Sequence, residues 1–239
     1  MENSIMRGAA PLRAWVAETA ADMQAVARLR YEVYIEEQGK PYPSADHANR
    51  TWTDALDLAN PSVILVAAGD LVVGTIRVNA LDDPEVRAVY GPVFDLTGAG
   101  APFAEDAVVC SRLAVAPRHR NGRARALLLQ TIFEHGLAGG AKHCFAASAA
   151  PLLRLFRSYG FREYAGPVQD PVVGKLRRSV LKLHDLRHLE AVGSPFVPSA
   201  KRLLSIADAH EPCPTEHHRR LGRVLPEVNL LVRGGYANA

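Results

Sequence analysis

Two apolar runs around a Gly-Asp pair form the clearest pattern in the chain. Ser62–Ala68 and residues 71–78, flanking Gly69-Asp70, predict a β-hairpin. Nearly every position in both runs is apolar, so these strands are expected centrally, under helices. Upstream, residues 13–17 predict a short strand. Thr19 with Asp22 three positions later makes a capping box for a helix whose Met23, Val26, Ala27, Arg30 and Tyr34 share one face. Downstream, β-branched and apolar residues over 108–115 predict a strand. A glycine-bearing turn follows, then a helix that buries Leu128, Leu129, Ile132, Phe133 and Leu137 and stops at Gly139-Gly140. Residues 142–147 read as a strand, and 150–160 as a helix closed by Gly160. Residues 161–165 and 175–183 read as two further strands. Residues 39–60 and 81–106 are rich in Pro and Gly and read as loops. Helix, hairpin, strand–helix, strand–helix, strand, strand predicts an α/β fold: a mixed central sheet with helices on both faces.

Residues 1–12 read as a flexible tail, 13–185 as one domain, and 186–239 as a C-terminal extension broken by Pro195, Pro198, Pro212, Pro214 and Pro226. The 239 residues are 48% hydrophobic and 22% charged, enough apolar content for a sizeable core. No apolar run approaches the roughly 20 residues a membrane span needs. The first residues lack the apolar core of a signal peptide, so a cytoplasmic protein is expected. Three widely spaced cysteines, Cys110, Cys144 and Cys213, do not make a disulfide framework. His210, Cys213, His217 and His218 lack the spacing of a zinc site, and no metal is expected.

The net charge is +3, but the basic residues gather between Arg112 and Arg125. A strand that feeds a basic, glycine-bearing turn at a helix start suits an anion such as a phosphate. The clustering, with no interleaved aromatic platform, argues against nucleic acid. Two further positions break the apolar pattern. Arg30 either runs its stem along the core edge or points with Tyr34 into a polar cleft. Arg77, expected on one face with Val73 and Thr75, cannot stay buried unpaired, and Asp54 or Asp57 is the natural partner. Cys110 and Ser111, with no His or Asp partner nearby, read as packing residues.

Leu113-Ala114-Val115-Ala116-Pro117 followed by His119-x-x-Gly122-x-Ala124 resembles the pyrophosphate loop of the GNAT acyltransferase superfamily, usually Gln/Arg-x-x-Gly-x-Gly/Ala. Phe156 to Phe161 is similar to that superfamily's late motif ending in Gly-Phe. Phe156 stands where many GNAT N-acetyltransferases carry a general-acid Tyr, while Tyr159 adjoins Gly160. A narrower likeness is carried by Arg30-x-x-Val33-Tyr34, Asp54-x-x-Asp57, Arg77 and Ser111-Arg112. In that order they resemble the signature of the autoinducer-synthase branch and the long-chain N-acyl amino acid synthases.

The resemblance implies a GNAT-like fold over 13–185 and transfer of a fatty acyl chain to an amine. The donor would be acyl-CoA or acyl carrier protein, held by its phosphopantetheine arm. It places Leu113, Ala114, Val115, His119, Arg120, Asn121, Gly122, Arg123 and Ala124 at the donor, with backbone groups of 113–115 facing the thioester carbonyl. Arg30, Arg77 and Arg112 would bind an acceptor carboxylate or lock Asp54 and Asp57, the latter being the safer reading. Glu37, Asp54, Asp57 and Glu105 are all possible bases. Val109 replaces the Glu of acyl-homoserine lactone synthases, and Glu37 to Lys40 lack their Trp. A free amino acid or small amine is therefore the expected acceptor, in place of S-adenosylmethionine. Two alternatives stand: acetyl-CoA-dependent N-acetyl transfer, and a non-catalytic acyl-thioester-binding module. Chain length, donor type and oligomeric state stay open.

Overall fold

The computed structural model describes residues 10–96, 106–120 and 122–209. Asn121, Glu105 and the His210, Cys213, His217, His218 group lie outside them, as does most of the predicted tail. The chain runs β1 (Leu12–Val16), α1 (Ala20–Arg30), β2 (Ser62–Ala68), β3 (Leu71–Ala80), α2 (Pro84–Phe94), β4 (Ala107–Val115), α3 (Arg123–Ala138) and β5 (His143–Ser148). It continues through α4 (Leu153–Ser158), β6 (Arg162–Glu163), β7 (Val168–Asp170), β8 (Gly174–Lys182), α5 (Leu186–Ala191) and α6 (Val197–Ala209). The strands form one mixed sheet in the order β1-β2-β3-β4-β5-β8-β6, with β7 paired to β8. The expected α/β sheet with helices on both faces is what forms.

Alternation along the strands sorts the core into two layers. Ile64, Val66, Ile76, Val78, Val108, Cys110, Cys144 and Ala146 face α3, whose Leu128, Leu129, Ile132 and Phe133 pack on them. Val63 and Leu65 face Val26 of α1, and Val109 and Phe145 face Val86 and Phe94 of α2. A bulge at Val73 departs from the expected alternation. Register slips between Val66 and Ala67 opposite it, and Val73 joins the α3 layer while Arg77 stays on the α1 side.

Among the described strands only β4 and β5 pair in parallel, which is why α3 must cross between them. Their pairing covers Ala107 to Val109 against His143 to Phe145. Both strands continue, to Val115 and Ser148, without further mutual pairing, so the sheet opens into a wedge there.

Two helical segments differ from the sequence expectation. Residues 81–106 contain α2, because Pro84 occupies the first helical position, which suits a proline, and Pro92 falls in the last turn. Asp83 caps this start, accepting from the backbone N–H groups of Glu85 and Val86 at 2.8 and 3.1 Å. The segment set apart as an extension contributes to the same core through α5 and α6. Leu189, Phe196 and Ala200 are buried, and Phe196 stacks on Phe133 with centroids 4.3 Å apart. Glu134 of α3, itself buried, accepts from Arg202 at 2.9 Å and from Ser199.

Gly160 and Gly122 give a paired test of this packing. Both have left-handed φ, +103° and +94°. A Cβ on Gly160 would meet Leu189 Cδ2 at 2.8 Å, whereas one on Gly122 meets nothing within 4 Å. Urea unfolding should show Gly160→Ala losing about 2–4 kcal/mol, from backbone strain plus overpacking. Gly122→Ala should lose about 1–2 kcal/mol, from backbone strain alone. Equal losses would contradict the packing described.

Candidate active site

The site lies on the α1 face, where three elements meet. The first is the C-terminal end of α1. Thr19 caps its start with the expected Asp22 box, and after Arg30 the helix widens into a π-helical segment, Tyr31–Glu37. Such widening re-aims side chains. Arg30 is wholly buried and Tyr34 stands four residues on, directed at β4. Arg30 therefore takes the inward of its two readings.

The second element is a single 3₁₀ turn, Ala55–Asp57, in which the Asp54-x-x-Asp57 spacing is itself a capping box. Asp57 Oδ2 accepts from the backbone N–H of Asp54 at 2.9 Å, and Asp54 Oδ1 accepts from that of Leu56 at 3.0 Å. The turn is held against the sheet by Asn79, whose Nδ2 donates to the Leu56 carbonyl at 3.1 Å. Local hydrogen bonds thus hold the turn that carries both carboxylates.

The third element is β4. Register with β3 slips between Arg77↔Ser111 and Thr75↔Ala114, so Arg112 and Leu113 stand opposite Ile76 alone. Arg112 takes φ +56° there, a conformation costing a side-chain-bearing residue about 1–2 kcal/mol. The bulge turns Arg112 onto the acid turn and leaves Ser111 beside Arg77, whose Nε donates to Ser111 Oγ at 3.3 Å.

These elements assemble one ion cluster. Arg30 Nη1 donates to both Asp57 oxygens at 2.8 Å. Arg77 Nη1 bridges Asp54 at 2.5 Å and Asp57 at 3.0 Å. Arg112 reaches Asp54 through Nε at 2.7 Å and Nη2 at 2.6 Å. Three guanidiniums meet two carboxylates, so the cluster carries one positive charge in excess. Aromatic rings wall it. The Arg112 guanidinium lies 4.9 Å from the Trp52 ring and 5.6 Å from Tyr42, which stacks on Trp52 at 4.1 Å. The Tyr90 hydroxyl of α2 lies 3.5 Å from Arg77 Nη2.

Electrostatics fix the carboxylates as anions. Burial raises the Asp54 carboxyl, but Arg112 and Arg77 outweigh it and hold its pKa down at about 2. Burial likewise raises Asp57, and Arg30 and Arg77 bring it below the ordinary range. A carboxylate held this low is a weak acceptor for an ammonium proton at neutral pH.

Sequence-predicted residues divide accordingly. Arg30, Asp54, Asp57, Arg77 and Arg112 come together. Glu37 does not join them: it forms a two-pronged pair with Arg120, with Arg120 Nη2 on Glu37 Oε2 at 2.5 Å. Arg120 Nε also donates to the Val115 carbonyl at 2.9 Å, tying the basic turn to the end of β4. Leu113 is in the bulge, Ala114 and Val115 follow it, His119 and Arg120 stand in the turn, and Gly122 precedes α3 without a side-chain cap, ahead of Arg123 and Ala124. Tyr90 was hidden by the loop reading of its segment. The Asp83-Pro84 start, with Val86, Tyr90 and Phe94 at helical spacing, was its available signal.

A mixed sheet wedged open between β4 and β5, with a bulged β4 leading into a glycine-bearing turn and helix, defines a GNAT-type acyltransferase fold. Solved structures match it at the level of fold. The CoA-dependent acyl-homoserine lactone synthase BjaI aligns with TM-score 0.60 and 17% identity over 82% of this chain and 100% of its own. FeeM, an N-acyl amino acid synthase from uncultured soil microbes, aligns with TM-score 0.56 and 14% identity over 79% and 98%. The chain belongs to the N-acyl amino acid synthase FeeM family, whose model matches residues 25–180. An L-ornithine N(alpha)-acyltransferase of Rhodobacter capsulatus is 32% identical over 131 residues, 52% of this chain and 50% of that protein. The chain thus spans about half the length of that relative.

The low Asp54 pKa gives a signed prediction. A folded-state pKa below the unfolded value of about 3.9 means stability that is present above about pH 4 and lost as pH falls towards 2. In urea titrations the stability gap between wild type and Asp54→Asn should be full at neutral pH. It should close on acidification through that window. A gap independent of pH would contradict the pairing.

Proposed function

We propose that the protein is an N-acyltransferase that moves a fatty acyl group from an acyl-CoA or acyl carrier protein thioester to the amine of an amino acid. The observation that carries this reading is the buried cluster of three arginines and two aspartates, with its single excess positive charge, beside the bulge of β4. Such a cluster is complementary to one carboxylate, which a free amino acid carries and a simple amine lacks. Membership of the FeeM family supports the same reading.

In this scheme Asp54 and Asp57 hold the arginines in place, and Arg112, the one partly exposed guanidinium of the three, meets the acceptor carboxylate, with the buried Arg30 and Arg77 contributing positive charge behind it. A backbone N–H within Leu113 to Val115 that is not spent on the ladder with β3 faces the thioester oxygen. The turn from His119 to Ala124 grips the phosphopantetheine arm at the start of α3. Glu37 orients Arg120 within that turn. The neutral amine nitrogen attacks the thioester carbon, an amide C–N bond forms, the C–S bond breaks, and the nitrogen's surplus proton leaves on the thiol. The ammonium proton of the acceptor passes to solvent before the attack.

Purified protein supplied with amino acids and either acetyl-CoA, longer acyl-CoAs or acyl carrier protein thioesters tests this directly. Expected is release of free thiol that requires both a long acyl donor and an amino acid, with an N-acyl amino acid found by mass spectrometry. Turnover restricted to acetyl-CoA would overturn it in favour of N-acetyl transfer. Saturable thioester binding without thiol release under any amine would mark a binding module instead.

A further inference from the structure

One acidic side chain on the site's side of the sheet has no counter-charge. Val180 of β8 and Ala147 of β5 pack with Val86, Tyr90 and Phe94 of α2, and Arg178 Nη1 donates to the Val93 carbonyl at 3.5 Å. Alternation along β8 puts Leu176 and Gly174 on this same face, and their partners in β7 are Val168 and Asp170. Asp170 therefore stands on the side of the sheet that carries the arginine cluster, at the tip of the β7–β8 hairpin. Its Oδ1 accepts from the backbone N–H groups of Val172 and Val173 at 2.8 and 2.7 Å, which folds the turn. Among the described residues no cation pairs with Asp170, and its Oδ2 takes no bond.

Tyr42 relates this carboxylate to the cluster. Its ring lies 5.6 Å from the Arg112 guanidinium. Burial raises the Tyr42 phenol, Arg112 lowers it and Asp170 raises it, so one hydroxyl feels the cation and the anion together. The cleft thus holds an unbalanced positive charge on the Arg112 side and an unbalanced negative one at Asp170. An amino acid whose carboxylate meets Arg112 keeps its α-nitrogen one carbon from that carboxylate. That nitrogen must be neutral to attack a thioester, and pairing it with a carboxylate would favour its charged form instead. The anion at Asp170 therefore suits a second cation, at the end of the acceptor's side chain.

We propose that Asp170 is a specificity-determining residue: its Oδ2 pairs with a terminal ammonium on the acceptor side chain, so diamino acids are selected over amino acids with neutral side chains. The proposal rests on the acyl-transfer reading, with the acceptor carboxylate at Arg112. Such a charge-assisted bond is made in the bound acceptor and in the transition state alike, so it acts on KM more than on kcat.

Lysine and ornithine, compared with norleucine and norvaline, keep the carbon chain and differ in the terminal amine. Wild type should use the diamino acids with kcat/KM at least about tenfold higher, a preference that shrinks with added salt. Asp170→Asn keeps an oxygen for the Val172 and Val173 N–H groups and removes the charge. In this variant the ratio should fall to within about twofold of one, through a raised KM for lysine and ornithine. A wild-type ratio near one, or a preference that survives in Asp170→Asn, would overturn the proposal. An equal fall in kcat with every acceptor would also overturn it, because it would make Asp170 a base or a fold residue. Absence of turnover in wild type with every donor would count against the acyl-transfer reading. Calorimetric binding of the same amino acids then tests Asp170 without chemistry. Tighter binding of the diamino acids, lost in Asp170→Asn, supports the pairing, and equal binding by both proteins overturns it.

Discussion

Everything on the α1 face depends on the pairing of Arg30, Arg77 and Arg112 with Asp54 and Asp57. Two of these arginines are wholly buried, and an unpaired charge in that position costs several kcal/mol. The pairs lie far apart in sequence: α1 supplies one partner, β3 another, the bulged β4 the third, and a single turn supplies both acids. Removing Asp57 leaves the buried Arg30 guanidinium uncompensated, a loss of about 3–5 kcal/mol for a buried pair. The cluster therefore does structural work first, and its leftover positive charge is available to a ligand only because that structure holds.

This arrangement explains two features that look costly in isolation. Arg112 adopts a left-handed backbone that disfavours any residue with a Cβ. The strain is offset by its two contacts with Asp54 and by its place over the Trp52 and Tyr42 rings. The helix after Arg30 widens into a π-helical segment, which places Tyr34 on the bulge. Strain concentrated where strand, turn and helix converge is characteristic of functional sites. The Glu37–Arg120 pair is of another kind, with both side chains over a third exposed, and contributes little beyond orienting the turn.

Much of this was legible in the sequence because it follows from local rules. The Thr19 capping box, the hairpin at Gly69-Asp70, the apolar stripe of α3 and Gly160 at the end of α4 all follow from spacing and backbone preference. The need of Arg77 for Asp54 or Asp57 followed from the cost of a buried charge, and it binds both. What escaped had non-local or conflicting causes. The prolines at 84 and 92 hid α2, although Pro84 occupies the one helical position that suits it. The two bulges, at Val73 and Arg112, arise from register between strands, which a single strand does not encode. α5 and α6 looked like an appendage because their prolines punctuate short helices, whereas Phe196 and Leu189 bury them in the main core. Glu37 could not be told from Asp54 and Asp57 as a base until the structure paired it elsewhere.

The central claim is that the excess positive charge of the arginine–aspartate cluster recognises the carboxylate of the acceptor. The most direct test compares an α-amino acid with the amine left when its carboxylate is removed, under the same acyl donor. The account predicts that kcat/KM favours the amino acid by at least about tenfold, or ~1.4 kcal/mol. Equal use of the two acceptors would contradict it.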